Sequence, residues 1–136
     1  KYNQVLIIQS DVFIDMGDYE SAHSNLIEAE KYSEKFDNSM MNGRVAYSFA
    51  KVMYSRGELS DATDYVDEAI EIFQDLSNRA QLANLYILKA NILIDRKKMK
   101  RVEKCIDKAR KYVKRLKNSS LESNIEEVEN RYNELK

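Results

Sequence analysis

The sequence predicts an all-α protein: an α-solenoid of antiparallel helix pairs, with three repeats and a C-terminal capping helix. Two observations carry this. Equivalent residues recur every 40 positions: Ala29, Ala69 and Ala109; Tyr32, Ile72 and Tyr112; Phe36, Leu76 and Leu116; Asn38, Asn78 and Asn118. A fixed period of this length marks stacked supersecondary units. The composition agrees: 136 residues contain no Pro, no Trp and only 3 Gly, with 43% apolar and 33% charged residues. The β-branched alternation and Gly/Pro punctuation of strands are missing. The length suits one domain, with repeats over about 3–38, 39–78 and 79–118 and a cap over 119–136.

The first helix is read over 3–16, with Val5, Ile8 and Val12 in one apolar row and Leu6 and Phe13 in a second. Gly17 ends it, because glycine tolerates the left-handed conformation of a helix stop. Asp18 or Ser21 then caps a second helix over 20–36, whose inner stripe is Ala22, Leu26, Ala29 and Phe36. The second repeat follows the same plan. A helix over 40–56 carries Val45, Phe49, Val52 and Met53, Gly57 breaks it, and Ser60 caps a helix over 61–76. In the third repeat a helix over 80–95 carries Leu85, Leu88, Ile92 and Leu93. Lys97 stands where Gly is expected, and a helix over 100–116 carries Val102, Ile106, Ala109, Tyr112 and Leu116.

The last helix, 120–135, opens with a capping-box spacing from Ser119 to Glu122. Its apolar row is Ile125, Val128 and Tyr132, while Glu126, Glu129, Asn130 and Asn133 replace the second row. One wet face predicts a capping helix and a true C-terminal end. At the other end, Val5, Ile8 and Val12 occupy the columns with which the cap docks. An unpaired apolar row there predicts missing upstream repeats or self-association. The chain also starts at Lys1 rather than Met, so it is expected to be the C-terminal part of a longer protein.

The turn Gly17-Asp18-Tyr19-Glu20-Ser21-Ala22 with Leu26 and Ala29, its copy Gly57 to Ala62 with Val66 and Ala69, and the small residues Ser10, Ala50 and Ala90 resemble the tetratricopeptide repeat family. Departures are the period of 40 instead of about 34, the absent closing Pro, Val102 for Ala and Lys97 for Gly. The long period is similar to that of bacterial regulators, including Gram-positive peptide-pheromone receptors and related phosphatases. The resemblance implies a right-handed α-solenoid and a non-enzymatic protein- or peptide-binding module whose first helices line a concave groove. The alternative it implies is the sensor domain of a peptide-regulated transcription regulator or phosphatase with its output domain upstream.

Carried over column by column, the groove residues are Gln4, Ile7, Asp11 and Ile14; Arg44, Tyr47, Lys51 and Tyr54; Asn84, Ile87, Asn91 and Ile94; and Asn124, Glu127, Arg131 and Glu134. Spacings of 3, 4 and 3 put each set on one helical stripe. Asn84 and Asn91 can donate to and accept from a bound backbone, and Arg44 and Lys51 can receive a carboxylate. The expected partner is therefore a protein or peptide segment.

Charge is uneven. Residues 1–76 hold 15 acidic and 6 basic side chains, and residues 97–117 hold 11 basic and 2 acidic. The basic helix 97–117 carries one aromatic, Tyr112, and no nucleic-acid-binding motif, so nucleic acid is not the expected partner; an acidic partner is. His23 is read as a surface histidine and Cys105 as a reduced thiol at a helix flank, with no partner at nucleophile–base spacing. Asp11 and Asp15 alone are too few for a metal. No catalytic residue, metal or cofactor is expected. One Cys excludes an internal disulfide framework and fits a cytoplasmic location. No apolar run reaches the ~18–20 residues of a membrane span.

Overall fold

The computed structural model describes residues 2–136, with side chains from residue 4 onward. Seven helices account for the secondary structure of these residues: α1 (Tyr2–Asp15), α2 (Tyr19–Phe36), α3 (Ser39–Ser55), α4 (Leu59–Asp75), α5 (Arg79–Asp95), α6 (Met99–Val113) and α7 (Ser119–Leu135). Tyr19, Leu59 and Met99 start the second helices, and Ser39, Arg79 and Ser119 the first helices that follow, so both series advance by 40 residues.

The turns explain this regularity. Gly17, Gly57 and Lys97 all adopt positive φ, at 80°, 80° and 61°. The residue after each donates its N–H five positions back, from Asp18 to Phe13, Glu58 to Met53 and Lys98 to Leu93, at 2.8, 2.8 and 2.9 Å. This is a Schellman stop. Lys97 departs from the glycine pattern in sequence but keeps its backbone. Asp37, Ser77 and Lys117 form the second left-handed set, each just ahead of the next first helix.

Three asparagines then start those helices. The Oδ1 atoms of Asn38, Asn78 and Asn118 accept from the N–H groups of Met41, Gln81 and Leu121 at 3.1, 3.2 and 3.0 Å. Asp18 caps α2 through Ser21 N–H at 3.2 Å. Two sequence expectations are corrected. Ser60 does not cap α4, because the Gly57 turn starts the helix at Leu59 and leaves Glu58 at the N-cap without a side-chain bond. Ser119 lies inside α7, and Asn118 caps it.

The chain forms two compact units, Lys1–Leu76 and Ser77–Lys136. In the first, α1 pairs with α2, α3 with α4, and α3 also packs on α1 and α2. Gln9 meets Asn25 and Ser10 meets the Ala22 carbonyl, so α1 and α2 run antiparallel. Close approach is licensed by small side chains: Ser10, Ala22, Ala29, Ala50, Ala62 and Ala69 are all fully buried. At Gly43 an added Cβ would lie 2.8 Å from two ring carbons of Phe73 on α4. Phe36, placed on the inner stripe of α2 by its spacing, is 68% exposed. It is the last residue before the left-handed Asp37, where the stripe has run out.

In the second unit α5 pairs with α6, and α7 packs on both. Leu85, Ile92, Leu93, Val102, Ala109 and Ile125 form its interior. Burying one such aliphatic side chain contributes about 1.5–3 kcal/mol. The second row of α7 stays wet, with Glu126, Asn130 and Asn133 exposed and Glu129 ion-paired to Arg110.

Val5, Ile8 and Val12 on α1 are 49%, 57% and 51% exposed, whereas their column mates Val45 and Ile125 are buried. Those two residues line clefts with α2 and α6 respectively.

Candidate partner-binding site

The first helices carry the predicted stripe. In the first unit it comprises Asp11 and Ile14 on α1 and Arg44, Tyr47, Lys51 and Tyr54 on α3, all half-buried. Lys51 donates to Asp11 Oδ1 at 2.8 Å, and its Nζ lies 4.7 Å from the centre of the Tyr47 ring. The two partners stand 40 residues apart, so the repeat itself aligns an acid with a base on neighbouring first helices. Burial, and secondarily the Asp11 carboxylate, push the Tyr47 hydroxyl up to about 12. Tyr47 is thus a neutral hydrogen-bonding phenol at any physiological pH.

In the second unit the stripe is Asn84, Ile87 and Asn91 on α5 with Asn124 and Arg131 on α7. Asn91 Nδ2 donates to the Ile87 carbonyl at 3.3 Å, and Arg131 Nη1 donates to Asn91 Oδ1 at 2.9 Å. Arg131 also pairs with Asp95. Asn91 and Arg131 again lie 40 apart. Lys51 and Asn91 are therefore held by neighbours within their units, and a ligand that uses them must exchange those bonds. Asn84 and Ile87 are half-buried and Asn124 is exposed. Ile7 and Ile94, expected on the stripe, are 2% and 4% exposed and belong to the core, because both are apolar positions that rotate toward the helix pair.

The remaining candidates are placed differently from expectation. His23 is half-buried and meets the Phe49 ring edge-on at 5.7 Å. Phe49 in turn stacks on Tyr65 at 5.0 Å. Cys105 is buried. Sequence reasoning missed a cleft of about 230 Å³ in the first unit, lined by Glu30, Glu34 and Glu68 with Ser33 and Asn42. Burial, then the Glu34 and Glu68 charges, raise the Glu30 carboxyl, while His23 opposes them. Among the described residues no group of three or more His, Cys, Asp or Glu side chains could hold a metal ion, and no helix is long and apolar enough to cross a membrane.

Helix–turn–helix units with a Schellman stop, small residues at the crossings and a polar–aromatic stripe on the first helices define a tetratricopeptide-like helical repeat fold. Comparison with solved structures agrees. The chain is similar to the crystal structure of aspartyl phosphate phosphatase F from Bacillus subtilis, with a TM-score of 0.85 and 22% identity over 96% of this chain. It spans about a third of that protein, 34% of its length. At that identity the likeness establishes the fold. No protein-family model and no curated protein sequence matches the chain.

Proposed function

We propose that the chain is a non-enzymatic module that binds protein or peptide segments on the first-helix stripe of each unit: Arg44, Tyr47, Lys51 and Tyr54 in the first, and Asn84, Ile87, Asn91, Asn124 and Arg131 in the second. The observation that carries this reading is that Tyr47, Tyr54, Asn84 and Ile87 stand half-buried on the first helices, interleaved with the charged groups, where a merely solvated face would expose its side chains fully. Tyr47, Tyr54 and Ile87 offer apolar contact, and Asn84 offers one donor and one acceptor to a backbone. Peptides selected from a random display library test it. Asn84→Ala should weaken a selected peptide several-fold to tenfold, as expected for about 0.5–1.5 kcal/mol of hydrogen bonding. Lys108→Ala with Lys111→Ala should leave the affinity unchanged. Loss with the lysine pair alone would refute the stripe.

The likeness to an aspartyl phosphate phosphatase roughly three times as long favours a second reading. In it this stretch of three 40-residue repeats and a capping helix is the sensor part of a longer peptide-regulated bacterial phosphatase or transcription regulator in the cytoplasm. The exposed row Val5, Ile8 and Val12 is then a self-association face of the isolated chain. Sedimentation of wild type and of Val5→Lys/Ile8→Lys tests this: the wild type should gain mass with concentration and the variant should not. A wild type that stays monomeric would refute it.

A further inference from the structure

The second unit carries a feature that the first-helix stripe does not use. A cavity of about 340 Å³ opens between α5 and α6. Its floor is Tyr86 and Cys105, both nearly inaccessible. Its walls are Lys89, Lys100, Arg101, Lys104 and Lys108, and no carboxylate lines it. Lys100, Lys104 and Lys108 follow one another at four-residue spacing, so they share one face of α6. The Nζ of Lys108 stands 5.3 Å from the centre of the Tyr86 ring, which stacks on Tyr112 at 5.9 Å. Lys108 is therefore held over an aromatic pair.

The fold does not demand this charge. The residues 40 positions earlier are Ser60, Asp61, Asp64 and Glu68 on α4, and 40 positions earlier again Glu20, Ser21, Ser24 and Glu28 on α2. One scaffold position thus accepts acids in two repeats and bases in the third. Like charges at four-residue spacing destabilise a helix by about 0.2–0.5 kcal/mol per pair, so the cluster opposes folding slightly unless an anion neutralises it. Four lysines to one arginine favour a ligand that takes point charges, as phosphate oxygens do, over the planar fork that matches a carboxylate. The volume lies at the low end of the ~300–1,000 Å³ range of ligand pockets, which suits a compact anion.

We infer that this cavity binds an oligophosphate group of two or three phosphates, either free or carried on a small molecule such as a nucleoside. Calorimetry on the full chain at 100 mM salt tests it with four probes: inorganic tripolyphosphate, adenosine triphosphate, hexaglutamate and a dT12 oligonucleotide. Tripolyphosphate should bind saturably at one site. Its affinity should fall at least tenfold in Lys104→Gln/Lys108→Gln and in Arg101→Gln, each first shown to melt like wild type. Lys117→Gln, outside the cavity, should leave it unchanged. Nucleotide binding tenfold tighter than tripolyphosphate assigns a nucleoside carrier, and equal binding assigns the phosphate chain itself; both support the site. Absent saturation, equal affinity in all the variants, or hexaglutamate or dT12 binding tighter than tripolyphosphate would overturn it. The Asn84→Ala variant should bind tripolyphosphate normally, so this site and the first-helix stripe fail independently.

Discussion

Replacing Gly43 with alanine probes the closest helix approach in the first unit. At a solvated interior helix position Gly→Ala stabilises by about 1 kcal/mol, because alanine loses less backbone freedom on folding. At Gly43 the new methyl would sit 2.8 Å from Cε2 and Cζ of Phe73 and 3.0 Å from Cγ2 of Ile72. Ordinary carbon contact needs about 3.5–4.0 Å, so one partner must move by roughly 0.7 Å or more. Phe73 is fully buried, so its ring cannot swing out into solvent to make room. Overpacking of this kind costs about 1–3 kcal/mol. Set against the propensity gain, the expected net effect is a loss of up to about 2 kcal/mol. Urea denaturation followed by far-ultraviolet circular dichroism measures it. Phe73→Leu should relieve the clash, so the two substitutions together should cost at least about 0.5 kcal/mol less than their sum. A Gly43→Ala variant more stable than wild type by the full propensity increment would refute the α3–α4 packing described above.

Two further outcomes follow from the turns and the stripe. Lys97 holds a left-handed backbone that costs an L-residue about 1–2 kcal/mol, partly offset by the greater freedom of an unfolded glycine; Lys97→Gly should stabilise by about 0.5–1 kcal/mol, and a lower melting temperature would contradict the shared turn. Tyr47 has a folded value raised to about 12 from 10.0. Its contribution is fully present below pH 10 and lost as pH rises toward 12, so Tyr47→Phe should lose less stability than wild type between pH 10 and 12, which alkaline melting curves check.

Much of the fold was legible because the 40-residue period places every turn twice over. The helix boundaries read from it fall within two residues of those observed, except at the C-terminal end of α6, which stops at Val113 instead of 116. The caps were only half legible. The column Asn38, Asn78 and Asn118 was in plain view, yet serine, an equally good cap, stood one residue inside at Ser119 and two residues past the true cap at Ser60. Backbone placement decides between such neighbours, and it is set by the left-handed residue before each cap.

Side-chain depth was harder. Ile7 and Ile94 share a column with solvent-facing polar groups, and period alone cannot say how far a helix rotates into its neighbour. The pairing of Asp11 with Lys51 and of Asn91 with Arg131 carried a signal in the complementary chemistry of residues 40 apart. It stays hidden when each helix is read as its own amphipathic unit, because the bonds run between parallel neighbours.

Hydroxyl-radical footprinting of the chain with and without a library-selected peptide tests the central claim most directly. Oxidation of Tyr47, Tyr54 and Ile87, half-buried in the unbound chain, should fall several-fold on binding, while Tyr19, Met40 and Leu135 react as before. Unchanged oxidation of the three stripe residues, with protection confined to α6, would contradict it.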